Sequence, residues 1–253
     1  MKKAVLLLGL VLFFPALGRA ELSHDFWRTF EWTTSDGVRM EGLYHGASRS
    51  GAYAWVLLHG LGSNRGEWDE FCRKLAAQGE GALIYDARGH GESVHGAGGK
   101  TLDYKEWRDA GAGSAWRAMT SDLESAVRTL SQREGIPLAH IAVGGASLGA
   151  NVALAYAAGH RDVPALVLLS PGFQYAGIES EKAFRKYEPR PVFIAASPGD
   201  SYAFATVQHL ASLRGDSACR VAAGEGAEHG VHMLEDSFTA ELLAWMKEAP
   251  SWK

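Results

Sequence analysis

Ser147 lies in the run GGASLG at 144–149, after an apolar stretch, His140–Gly144, and before Leu148, Val152, Ala155 and Tyr156 at helical spacing. A serine at a strand-to-helix turn, with a glycine two residues to either side, has the pattern of a nucleophile elbow. The spacing has a steric reason. A turn sharp enough to strain the nucleophile's backbone brings the flanking chain into contact, and Gly145 and Gly149 leave room where side chains would collide. A plain helix N-cap serine is the alternative, and the strand before and helix after favour the nucleophile.

A hydroxyl attacks only when a base takes its proton and a third group holds the base's tautomer. The apolar stretch Val192–Ala196 runs into SPGD, which puts Asp200 just past a strand's carboxyl end; Glu179 and Glu181 are the alternative carboxylates. Ala218–Ala223 reads as a last strand, and the loop GEGAEHG at 224–230 carries His229, with His232 the nearest rival base. His229 and His232 are also spaced i, i+3, but neither a Cys pair nor an HExxH helix accompanies them, and no metal or other cofactor is expected. The third need is a set of donors for the oxyanion. LLHGLG at 57–62 leaves a strand at Leu58 and turns through Gly60 and Gly62, so the backbone N–H groups of Leu61 and Leu148 are the expected donors. Leu148 also opens a helix, whose partial positive charge favours an anion.

These residues need a scaffold that places strand ends side by side. Phe26–Thr34 and Val38–Tyr44 read as strands joined by a Ser35-Asp36-Gly37 turn. Tyr53–Leu58, Gly81–Tyr85, His140–Gly144, Ala165–Leu169 and Val192–Ala196 are short apolar runs without polar alternation, as expected for strands covered on both faces. Helical stripes lie between them: Trp68, Phe71, Cys72, Leu75 and Ala76; Met119, Leu123, Ala126, Val127 and Leu130; and, at the C-terminus, Leu234, Phe238, Leu242, Trp245 and Met246. The alternation predicts an α/β fold: a mostly parallel eight-stranded sheet with helices on both faces and chemistry at the carboxyl ends of the strands.

Composition sets bounds on partners. The 253 residues carry 25 Lys and Arg against 29 Asp and Glu, a net charge of −4, which disfavours nucleic acid as a partner. Residues 1–20, MKKAVLLLGLVLFFPALGRA, read as an export signal: two lysines, an apolar run shorter than a bilayer span and interrupted by Gly9 and Pro15, then small residues. Its removal takes away Lys2, Lys3 and Arg19 and no acidic residue, leaving −7 on one domain, 21–253, expected in the periplasm or outside the cell with no stable membrane insertion. Cys72 and Cys219 cannot make a disulfide scaffold and read as two buried thiols.

Four blocks, HGLG at 59–62, DARGHGES at 86–93, GASLG at 145–149 and the Asp200/His229 pair, together resemble the α/β-hydrolase family, over residues 26–248. The resemblance implies that Asp86, Arg88, His90 and Gly91 are structural, with Arg88 and His90 ordering the loop near the pocket. Serine at 147 separates the chain from haloalkane dehalogenases, which use Asp there, and dienelactone hydrolases, which use Cys. The cap region, Ser170–Pro191, offers only about twenty residues, with one amphipathic candidate at Glu179–Tyr187, so a minimal cap and a shallow pocket are expected. The glycine-rich stretch Gly96–Ala115, with Tyr104, Trp107 and Trp116 in or beside it, borders the pocket or packs as a surface excursion. The chain is most similar to small, nearly capless esterases. A serine hydrolase of small carboxylic esters is therefore expected, with a peptidase or acyltransferase on the same scaffold, or a non-catalytic binding protein, as alternatives. Oligomeric state has no signature in the sequence.

Overall fold

Alternate residues of the central strands feed two cores, one on each side of a sheet. In β3 (Ala54–Leu58), Ala54, Val56 and Leu58 join one core and Trp55 and Leu57 the other, which is why the strand reads as an unbroken apolar run. The computed structural model describes residues 26–249 except Glu188 and 215–217. The expected export signal lies outside the described residues.

The sheet has eight strands in the order β1-β2-β4-β3-β5-β6-β9-β10. β1 (Arg28–Thr33) and β2 (Arg39–His45) form the expected hairpin, with Gly37 at φ +81° in the turn, and β2 pairs antiparallel with β4 (Gly81–Tyr85). From β4 onward every pairing is parallel, through β3, β5 (Ile141–Ala146), β6 (Leu166–Leu169), β9 (Val192–Ala195) and β10 (Cys219–Ala222). Helices α2 (Ala115–Glu134), α3 (Leu148–Gly159), α4 (Glu181–Tyr187) and α5 (Ser201–Ser212) bury residues in the first core; α1 (Asp69–Ala77) and α6 (Asp236–Glu248) in the second.

α2 begins where the Ser114 hydroxyl accepts the Arg117 N–H and stops at Gly135 in the left-handed conformation, a side-chain cap at one end and a glycine stop at the other. Arg190 closes α3 by donating to the carbonyls of Ala157, His160 and Val163.

Several expectations change. α3 is not a helix with one buried stripe: Leu148 to Leu154 are buried without a break, because the helix is wedged between α2, α4 and the sheet, and only Ala155 of the expected stripe is part-exposed. α4 starts at Glu181; Glu179 belongs instead to β8 (Ile178–Glu179), which pairs with β7 (Gln174–Tyr175) in a small hairpin too short for a sequence pattern. Leu234 lies in the turn before α6. Cys72 is buried as expected, but Cys219 is partly exposed on the edge strand, and the sheet stands between their two cores, so they are not bridged.

Candidate active site

Ser147 sits at φ 54°, ψ −121°, between β5 and α3, in a region of backbone space that side chains disfavour. The surroundings enforce it. A Cβ on Gly145 would come within 2.4 Å of the Gly149 carbonyl, and one on Gly149 within 2.6 Å of the carbonyl oxygens of Leu58 and His59. The elbow is thus pressed against the exit of β3, and the Ser147 N–H donates to Leu169 of β6 at 2.8 Å.

The loop leaving β3 is fixed by His59. Its Nε2 accepts the Ala87 N–H at 2.9 Å, so Nδ1 carries the ring proton and donates to the Gly60 carbonyl at 2.7 Å. Burial pushes the ring's pKa down to about 3, and it stays neutral. The Gly60 carbonyl also accepts the Ser63 N–H at 3.2 Å, and the Gly60 N–H donates to Glu67 Oε1 at 3.0 Å. Because C=O and N–H point opposite ways across a trans peptide, tying the Gly60 carbonyl aims the Leu61 N–H away from His59. Among the described residues neither the Leu61 nor the Leu148 N–H has a hydrogen-bond partner, leaving both available to an anion.

Asp200 is the residue before α5, yet its side chain does not cap that helix. It accepts His229 Nδ1–H at 2.6 Å, which leaves Nε2 as the basic nitrogen. The two loops are packed together: Gly199 donates to the Gly226 carbonyl at 2.8 Å, and the Gly230 N–H donates to the Ser170 hydroxyl at 2.9 Å. Ser147, His229, Leu61, Glu67 and His232 line one open cavity of about 290 Å³. His229 is 44% exposed there and Asp200 14%.

The rival residues go elsewhere. Glu181 pairs on the surface with Arg185 and His209, Glu179 is exposed on β8, and His232 shares the cavity but not the Asp200 carboxylate. The DARGHGES block works as scaffold. Asp86 binds the Arg65 N–H, the Arg65 guanidinium and the Glu92 N–H, and a Cβ on Gly91 would collide with it. Arg88 pairs with buried Asp122 and with Asp36, while His90 stacks on Tyr104 with ring centres 3.9 Å apart. The Gly96–Ala115 stretch is a largely exposed excursion anchored where Leu102, Tyr104 and Trp107 pack on the core, with Trp107 set edge-on to Trp116 and the Tyr104 hydroxyl beside Gly62 at the cavity.

Four residues escaped the sequence reading. Glu67 is a half-buried carboxylate whose pKa burial raises. Ser170 is fully buried at φ 49°. Tyr175, on β7, is half-buried, and burial raises the pKa of its hydroxyl. Asn151 holds the β7–β8 hairpin onto α3 through Gly172 and Ile178. Only Asn151 had a visible signal: an amide inside an otherwise apolar helix.

The sequence matches the family model of serine aminopeptidase S33 over residues 52–209. No curated protein matches it. Among solved structures it is similar to esterase Pf2001 of Pyrococcus furiosus, at 18% identity and TM-score 0.68, covering 89% of this chain and 93% of that one. A DcsB complex with a substrate analogue matches at 16% identity and TM-score 0.71, covering 88% and 98%. A dienelactone hydrolase of Anabaena variabilis matches at 18% and TM-score 0.61, covering 88% and 97%. These likenesses show the fold. With the family match spanning more than half of its length, the chain belongs to the serine aminopeptidase S33 family of α/β-hydrolases.

Proposed function

We propose that the protein is a serine hydrolase that cleaves small carboxylic esters through an acyl-enzyme on Ser147. The observation that carries this reading is the Asp200–His229 pair, closed at 2.6 Å and opening on the same cavity as a serine in the elbow conformation. His229 Nε2 takes the Ser147 proton as the hydroxyl oxygen attacks the ester carbonyl. The Leu61 and Leu148 N–H groups receive the oxyanion, and His229 then passes its proton to the departing alcohol. Water enters by the same base and frees the acid. The open cavity and the short β7–β8 and α4 insertion support substrates of modest size. The esterase among the similar structures supports the same class.

The test is hydrolysis of a short-chain aryl ester together with fluorophosphonate labelling. Wild type should turn over and label at Ser147, and Ser147→Ala should do neither. Full activity in Ser147→Ala would sink the assignment. Peptide cleavage is the second reading, favoured by the family's description, and aminoacyl arylamides run beside the esters separate the two. Export through residues 1–20 is proposed from the sequence, and mass measurement of the protein's N-terminus after expression with its leader checks it.

A further inference from the structure

Glu67 brings a carboxylate into the cavity beside Ser147 and His229, where no step of the proposed reaction uses it. Placing a carboxylate in a partly dry wall is costly unless its bonds compensate. Its bond is to the oxyanion loop, where Oε1 accepts the Gly60 N–H at 3.0 Å. The side chain's base is itself held. It belongs to a one-turn 3-10 helix, Arg65–Trp68, capped where Asn64 Oδ1 accepts the Gly66 N–H at 2.9 Å, and Trp68 beside it is fully buried.

We propose that Glu67 is a positioning residue for the oxyanion loop: by taking the Gly60 N–H it fixes the His59–Gly60 peptide, so that the Gly60–Leu61 peptide, tied at its carbonyl, cannot swing about Gly60 and the Leu61 N–H stays the donor that faces substrate. The Gly60 carbonyl is already held by His59 Nδ1–H at 2.7 Å. Without an acceptor at Glu67, the Gly60 N–H is released into the cavity, and rotation about this glycine is opposed from one side only. The cost falls on the transition state, where a preorganised donor matters most, and hardly on ground-state binding. This inference rests on the reading of Ser147 as nucleophile.

The experiment compares Glu67→Met, which keeps the length and removes the acceptor, with Glu67→Gln, which keeps an acceptor oxygen and removes the charge. Both are made in the full chain and assayed on the short-chain aryl ester. Glu67→Met should lower kcat about 10–100-fold with KM within about threefold, and a boronic acid that forms a tetrahedral adduct on Ser147 should bind correspondingly more weakly. Glu67→Gln should recover to within about threefold of wild type. Thermal melting checks that both fold, and Glu67→Ala replaces Glu67→Met if that side chain does not fit. A kcat within twofold of wild type in the variant lacking the acceptor overturns the proposal, and so does a Glu67→Gln enzyme as impaired as that variant. Either result in a wild type that labels with fluorophosphonate leaves the serine reading standing; a wild type that does not label removes both.

Discussion

The two sides of the cavity are built differently. Around Ser147 the constraints are main chain against main chain: glycines 145 and 149 touch backbone, and a buried neutral His59 ties two loops together. Around His229 one main-chain bond, Gly199 to Gly226, joins the loops, while the imidazole and its neighbour are held by side-chain hydrogen bonds, one to Asp200 and one from Gly230 to Ser170, and the imidazole is 44% exposed. Packing the sheet therefore shapes the elbow as a by-product of folding, because the β5–α3 turn cannot relax without moving β3. The proposed base, His229, is held by a few bonds between loops, so chemistry and stability should separate more on that side than on the other.

Three changes would break or sharpen this contrast. The largest effect is expected on the base side from Asp200→Asn, which turns His229 to the wrong tautomer. It should cost on the order of 10³–10⁴-fold in kcat while the melting temperature stays within a few degrees. A comparable loss of stability would erase the distinction.

Next comes acid on the nucleophile side. His59 is held at about 3 when folded against about 6.5 when unfolded, so the unfolded chain binds the extra proton first. Its contribution is complete above pH 6.5 and is lost as pH falls towards 3, up to roughly 4–5 kcal/mol over the window. Urea unfolding at pH 7 and pH 4.5 should show part of this loss, about 2–3 kcal/mol. His59→Gln should flatten the slope; an unchanged slope would mean that other groups set it, buried His90 first among them, since burial lowers its pKa too.

The smallest effect is expected from Ser170→Ala. The buried Gly230 N–H loses its acceptor, which should lower kcat about 3–10-fold and cost about 1 kcal/mol of stability. A loss as large as that of Asp200→Asn would show the His229 loop to be held at Ser170 rather than at Asp200.

Most of the scaffold was legible in advance, for a local reason. Strands buried on both faces must be apolar throughout, helices that cover a sheet carry a 3.6-residue stripe, and an elbow needs its glycines at ±2, so each announces itself within a few residues. Where the pattern failed, a third neighbour was involved. α3 lost its stripe because helices flank it, and the β7–β8 strands are two residues each, below any periodicity. Glu67, Ser170 and Tyr175 carry no local signal. Glu67 meets Gly60 and Ser170 meets Gly230, and only Glu67 lies within ten residues of its partner.

The amino-acid sequence by itself determined the fold class, the order of the eight sheet strands and the serine at the strand-to-helix turn, and it narrowed the aspartate and histidine expected to react to a few candidates beside strand ends. The tertiary structure decided which carboxylate meets His229, which tautomer His59 adopts, which N–H groups of the oxyanion loop remain available and how far the cavity opens. Those depend on bonds between groups distant along the chain and on the burial that sets their protonation, and neither is written in the spacing of residues.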